Sequence, residues 1–307
     1  MIPPCHLYDQ LAQGGIDFYV GVPDSLLKPF CAYVADQTRE GQHVITANEG
    51  NAVALAMGHH LATGGNPAVY MQNSGLGNIV NPLLSLADKE VYSVPMLFVI
   101  GWRGQPGVKD EPQHIKQGRV TLPLLEAMEV SHAILDGDPE KSPELVAEAV
   151  KRVVEEGGVH ALVVTQGAFE EYRGQKNREG PSLTRESVIQ QVVAALEKDT
   201  VVVSTTGKAS RELFEIREAE GEGHERDFLT VGGMGHASQI ALGIAMGAPA
   251  RQVVCIDGDG ASLMHLGSMA INGTSGLKNF KHILINNGAH ESVGGPPTVG
   301  LKSPSQK

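Results

Sequence analysis

Short β-branched or apolar runs alternate along the chain with longer segments whose apolar residues recur at helical spacing, the pattern of parallel sheets built from βαβ units. In the first half, Phe18–Val20, His43–Thr46, Ala68–Met71, Met96–Ile100 and Ala161–Val164 predict strands. Between them the Ala/Leu/Met-rich stretch Asn51–Leu61 predicts a helix, and Pro143–Glu156 another, with Leu145, Val146, Ala149, Val150 and Val153 on one face. Arg173 to Pro181 is polar, holds two glycines and a proline, lacks an apolar period and reads as an exposed linker. After it, Thr184 suits the N-cap of a helix with its stripe at Val188, Ile189, Val192, Val193 and Leu196. Strands at Val201–Val203, Val253–Ile256 and Ile283–Ile285 follow, separated by helices over Ser238–Met246 and near Ser262–Ile271. The expectation is an α/β protein of two successive domains, 1–175 and 183–307, joined by a linker over 176–182, each a mostly parallel sheet flanked by helices.

Charge narrows the partners. Thirty-five acidic against twenty-four basic residues give a net charge of -11, and no Lys/Arg-dense block occurs, so the footprint of a nucleic-acid binder is missing. The apolar run Val94–Ile100 falls far short of the roughly 20 residues of a membrane helix. The N-terminus lacks a basic region followed by an apolar core, and the expectation is a cytoplasmic protein without a membrane partner. Cys5, Cys31 and Cys255 form no CxxC and no disulfide framework, and read as small buried hydrophobes. The 37 glycines carry more information, because glycine-rich turns after strands let backbone amides approach phosphate.

The most specific chemistry lies in Asp257-Gly258-Asp259-Gly260-Ala261-Ser262, followed after the next predicted strand by Asn286-Asn287-Gly288. Twenty-five residues, 261 to 285, separate Gly-Asp-Gly from Asn-Asn, enough for one helix and one strand. A carboxylate and a carboxamide at neighbouring parallel strand ends both face the crevice where open α/β sheets bind ligands. Such oxygen donors suit Mg²⁺ with an open face for phosphate. Either piece alone is a common turn; the pairing carries the reading.

In this pairing the chain resembles the thiamine diphosphate-dependent decarboxylases. Thr46-Ala47-Asn48-Glu49-Gly50, after the second strand, resembles the place where that family's pyrimidine-binding domain supplies a glutamate. Gly21-Val22-Pro23-Asp24-Ser25-Leu26-Leu27-Lys28, Gln72-Asn73-Ser74-Gly75-Leu76-Gly77-Asn78, Gly101-Trp102-Arg103-Gly104, Lys109-Asp110-Glu111-Pro112-Gln113-His114 and the segment Thr205 to Leu213 narrow the resemblance to the branch that acts on 3-phosphonopyruvate or sulfopyruvate, over about residues 7–300.

The resemblance implies two cofactors, thiamine diphosphate and Mg²⁺, and a small anionic 2-oxo acid as substrate. It makes Glu49 the carboxyl at the aminopyrimidine N1′, with Asp24, Asn73 and Ser74 near the reacting carbon. Asp259, the Asn287 side chain and the Ala289 carbonyl would hold Mg²⁺. Thr206, Gly207, Gly258, Gly260, Ala261 and Ser262 would meet the diphosphate. Met234 would wedge between the cofactor rings, with the Gly232 carbonyl accepting from the amino group. Arg103, Lys109 and His114, expected in one loop after a strand, would take the second anion of the substrate. The implied assembly is a homo-oligomer whose active sites combine the first domain of one chain with the second domain of another.

One departure stands against this. The family's cofactor domain continues past the Asn-Asn strand, whereas the sequence here stops at Lys307, so the second domain is expected to lack its last strands, through a truncated gene or splice form, and to leave a sheet edge and apolar helix faces open. Three outcomes are therefore weighed: a phosphonopyruvate-cleaving enzyme, a sulfopyruvate-cleaving one, and an inactive or regulatory paralogue.

Overall fold

A computed structural model describes residues 1–174, 183–289 and 298, and the chain divides into two compact units, Met1–Lys176 and Asn177–Lys307. The linker expected over 176–182 lies outside the described residues.

The first unit runs α1 (Pro4–Gln13), β1 (Ile16–Gly21), α2 (Lys28–Gln37), β2 (His43–Ile45), α3 (Glu49–Thr63), β3 (Asn66–Gln72), a 3-10 turn (Asn73–Gly75), α4 (Leu76–Pro82), β4 (Met96–Gly101), α5 (Pro112–Ala127), β5 (Ser131–Leu135), α6 (Ser142–Val154) and β6 (Val159–Val164). All strand pairs are parallel, in the order β2-β1-β3-β4-β6-β5. Helices on both faces explain why the central strands read as unbroken apolar runs rather than alternating ones. In β4, Leu97 and Val99 enter one core with Leu7, Leu11, Phe30 and Val146, while Met96, Phe98 and Ile100 enter the other with Val53, Ile79 and Leu125. Each such side chain, taken fully out of water, contributes about 1.5–3 kcal/mol.

The second unit runs α7 (Arg185–Ala194), β7 (Val201–Ser204), α8 (Lys208–Glu220), β8 (Asp227–Leu229), α9 (Ala237–Gly247), β9 (Val253–Gly258), α10 (Asp259–Met264), α11 (Gly267–Thr274) and β10 (Phe280–Ile285). Its strands are parallel in the order β10-β9-β7-β8. Thr184 caps α7, its hydroxyl accepting from the Ser187 amide at 3.1 Å. Among the described residues β10 is an edge strand, α11 buries no residue, and Leu266, Met269 and Ile271 are exposed.

Two sequence expectations are corrected, and two strands are added. The helix expected near Ser262–Ile271 is two short ones, broken at His265, whose backbone (φ -131, ψ 53) leaves the helical region. His114 does not share a loop with Arg103 and Lys109: it lies in α5, which Pro112 starts early because its fixed φ suits the first helical turn. Strands β5 and β8, not anticipated, are short edge strands that begin with the polar residues Ser131, His132 and Asp227 and bury only Leu135 between them.

Candidate functional site

In the first unit every residue singled out for catalysis follows the carboxyl end of a strand, the edge where open α/β sheets bind ligands. Asp24 and Ser25 follow β1, Glu49 follows β2, Asn73 and Ser74 follow β3, and Arg103 follows β4. Glu49 is the first residue of α3, whose N-cap is Asn48, with its side chain accepting from the Gly50 amide at 2.8 Å. A carboxylate there is ordinarily a solvated charge that complements the helix dipole. Here Glu49 is only 5% exposed. Its Oε2 accepts from Asn78 Nδ2 at 2.7 Å. A side chain at Gly75 would come within 2.6 Å of the Glu49 carboxyl, so glycine is required for that close approach. Burial raises the Glu49 pKa above the usual carboxylate range, opposed by the Asn78 hydrogen bond. Asn78 was not singled out from sequence, although it closes a motif that was.

Asp24 is deeply buried, and its pKa is also raised, by desolvation, against the opposing amides of Leu26, Leu27 and Ser25 and the charge of Arg103. Its Oδ2 accepts from the Leu26 amide at 2.8 Å, while Oδ1 has no partner among the described residues. Asn73 uses its amide within the protein: Nδ2 donates to the Arg103 carbonyl and to Thr121 Oγ1, both at 2.8 Å, and Oδ1 accepts from the Arg103 amide at 3.2 Å. Ser74 is exposed, with Oγ accepting from Gln72 Nε2 at 2.7 Å.

Of the three cations expected to meet the substrate, Arg103 is the one held in place. Its Nε donates to Asp110 Oδ2 at 2.8 Å, Nη2 donates to Asp110 Oδ1, and Nη1 donates to Ser25 Oγ at 2.9 Å. Asp110 holds the guanidinium charged, chiefly by this hydrogen bonding, and its own pKa is driven far below the usual range by the same contact. Lys109 is exposed on the connecting loop. His114 is half-buried, and desolvation, reinforced by the Arg103 charge, lowers its pKa, which favours the neutral ring.

In the second unit the expected cofactor residues likewise follow strand ends. Thr205, Thr206 and Gly207 follow β7, and Gly207 adopts φ +92 as the N-cap of α8. The turn from Gly232 to His236 follows β8, with Met234 half-buried. Gly258 ends β9, and Asp259, Gly260, Ala261 and Ser262 open α10. Register pairs Gly258 with Ile285, so Asp259 and Asn286-Asn287 leave adjacent strands side by side. Asp259 is 5% exposed, and its Oδ2 accepts from Thr298 Oγ1. Asn287 Oδ1 accepts from the Ala289 amide at 3.0 Å. Beneath this corner Asp257, also buried, accepts from Ser262 Oγ at 3.0 Å and from the Gly258 amide at 2.9 Å, and pairs with His282 Nε2 of β10 at 3.2 Å.

Residues 5–136 match the N-terminal TPP binding domain of thiamine pyrophosphate enzymes, and residues 205–306 match the C-terminal TPP binding domain. A phosphonopyruvate decarboxylase from Streptomyces viridochromogenes is 35% identical over 318 residues, spanning 97% of this chain and 77% of that protein. The chain belongs to the thiamine pyrophosphate enzyme family. A phosphonopyruvate decarboxylase from Streptomyces hygroscopicus is also 35% identical, over 93% of this chain and 73% of its own length. A sulfopyruvate decarboxylase from Methanosarcina acetivorans is 26% identical, over 95% and 77%.

The residues present fit the cofactor of a thiamine pyrophosphate enzyme. A buried carboxyl with a raised pKa, as at Glu49, suits a proton shared with a ring nitrogen. Thr205 Oγ1 is buried at the end of β7 with no partner among the described residues, an orphan that a phosphate oxygen would satisfy. Asp259 and Asn287 offer hard oxygen donors of the kind Mg²⁺ takes. Thr205 and Asp257 lie in motifs that the sequence marks, but sequence alone assigns neither a role, because that depends on which hydroxyl or carboxylate is left facing a crevice or a neighbouring strand.

Proposed function

We propose that this enzyme decarboxylates a 2-oxo acid bearing a second anion at C3, with 3-phosphonopyruvate as the substrate and phosphonoacetaldehyde and carbon dioxide as the products. The observation that carries this reading is the grouping, at the carboxyl edge of one sheet, of a buried proton-sharing carboxyl, Glu49, and a guanidinium fixed by Asp110, Arg103. Thiamine diphosphate, when bound, supplies the electron sink for loss of carbon dioxide. Glu49 holds or gives up a proton at the cofactor's pyrimidine nitrogen. Asp24, buried with a raised pKa, is placed to hold a proton beside the Arg103 charge. Asp259, the Asn287 side chain and the Ala289 carbonyl would bind Mg²⁺. Thr206, Gly207, Gly258, Gly260, Ala261 and Ser262 would receive the diphosphate, with Met234 and Gly232 against the rings.

Arg103 gives the second anion a two-pronged donor that a lysine cannot reproduce. The similarity to phosphonopyruvate decarboxylases, 35% identical over 93–97% of the chain, supports phosphonate over sulfonate: there the chain-long relative stands at 26%, and separate subunits match at 34–36% over only 36–48% of the chain. A homo-oligomer is part of the proposal, and sedimentation of a fully active monomer contradicts it. The test of substrate is a comparison of specificity constants for 3-phosphonopyruvate, sulfopyruvate and pyruvate, in parent and Arg103→Ala. A charge-assisted hydrogen bond contributes about 1.5–3 kcal/mol, so the variant is expected to lose about tenfold or more on phosphonopyruvate relative to pyruvate. Equal losses on both place phosphonate recognition elsewhere, and a parent preference for sulfopyruvate replaces the substrate.

A further inference from the structure

A guanidinium carries five N–H donors in a rigid fork. In Arg103, Nε and one Nη2 hydrogen go to Asp110, and one Nη1 hydrogen goes to Ser25. Two N–H groups remain, one on each terminal nitrogen. Asp110 cannot follow a ligand, because its carboxylate is saturated: beyond Arg103, Oδ2 accepts from the Gly104 amide and Oδ1 from the Glu111 amide, each at 2.7 Å, and the side chain is 8% exposed. The backbone beneath is equally fixed. Asn73 brackets the Arg103 amide and carbonyl, and Gly104, at φ +68, packs so closely on α5 that an added side chain would lie 1.8 Å from the His114 carbonyl oxygen.

A pair whose only purpose was to close the loop would be complete with Arg103 and Asp110. The third bond instead reaches 78 residues back to Ser25, at the end of another strand and next to buried Asp24. Ser25 Oγ accepts from Arg103, so its own proton is available to a ligand on the same side. We infer that Asp110 and Ser25 build the anion subsite around Arg103: Asp110 as a positioning residue that pins one edge of the guanidinium, Ser25 as a second donor to the same tetrahedral oxyanion. The inference rests on the proposed C3-anionic substrate. It explains how a neutralised arginine still recognises an anion: the carboxylate takes one edge and leaves the other pre-aimed, so little ordering cost remains when the ligand arrives.

The test is calorimetric binding of 3-phosphonopropionate, which carries the phosphonate and carboxylate but no reactive carbonyl, to the full chain with thiamine diphosphate and Mg²⁺ present. Ser25→Ala and Asp110→Asn are each expected to weaken binding roughly tenfold, Ser25→Thr to restore most of the loss, and none of them to change affinity for thiamine diphosphate. Unfolding temperatures report whether the Asp110 variant folds, and Ser25→Ala, which removes a single hydroxyl, keeps the question open to refutation if it does not. If the parent binds the analogue and Ser25→Ala binds it equally well, the subsite is wrong while the substrate reading stands. Tighter binding by Asp110→Asn makes Asp110 an electrostatic brake and overturns its positioning role. No binding by the parent overturns the substrate reading and the subsite together.

Discussion

Glu49 is a residue whose chemistry is set by its surroundings. Sequence places it after a strand and at a helix start, where a solvated charge is the ordinary outcome; only the fold brings Gly75 and Asn78 against it and removes it from water. The raised pKa has a sign for stability as well as for catalysis. The folded state keeps the Glu49 proton to higher pH than the unfolded chain, whose value is near 4.5, so the favourable contribution is present below that pH and is lost as pH rises through the folded value. Glu49→Gln removes this titration while keeping an acceptor for Asn78. The variant is expected to unfold at an equal or higher temperature than the parent at pH 8, with the difference shrinking toward pH 4. Its turnover is expected to fall by about 10²–10⁴, the usual contribution of a proton-transferring group, with cofactor affinity largely kept. Parent-level turnover, or a variant less stable at pH 8 than at pH 4 relative to the parent, removes Glu49 from this role. Arg103 was legible in the sequence as a cation after a strand, but its partners Asp110 and Ser25 were not, because a side chain-side chain fork over 78 residues leaves no periodic trace.

At the scale of elements, the corner β9–α10–β10 shows how two motifs distant in sequence come to lie side by side. Parallel pairing of β9 and β10 brings Gly258 level with Ile285, and Asp257 then ties the first turn of α10 to strand β10 through Ser262 and His282. The interval between Gly-Asp-Gly and Asn-Asn allowed one helix and one strand, whereas the chain divides that span into two short helices before the strand. Central strands such as β4 and β9 were legible because both faces are buried and the run is continuously apolar. Edge strands β5 and β8 were not, since each is short and polar residues, Ser131 and His132 in β5 and Asp227 in β8, leave only two or three apolar positions. Asp257→Ala leaves a buried hydroxyl and a partly buried imidazole without their acceptor, and is expected to cost about 2–4 kcal/mol of stability. The expected signs are a lower urea midpoint and weaker Mg²⁺-dependent retention of thiamine diphosphate. An unchanged midpoint with unchanged retention means that the corner is held by strand pairing alone.

Across the whole molecule the same grammar is written twice: two parallel sheets, each flanked by helices, each presenting its chemistry at the carboxyl ends of its strands. That repetition was visible in the alternation of apolar runs and helical stripes. A net charge of -11 says nothing in favour of an anionic substrate, so the proposed attraction is a local one, at Arg103. In the proposed function this chain, supplied with thiamine diphosphate and Mg²⁺, releases carbon dioxide from 3-phosphonopyruvate. Phosphorus NMR of purified protein with that substrate follows it directly. The expected record is conversion of the phosphonopyruvate resonance to that of phosphonoacetaldehyde, abolished by omitting the cofactor or by Glu49→Gln. Persistence of the substrate resonance with cofactor bound, or conversion that proceeds equally without it, overturns the proposed activity.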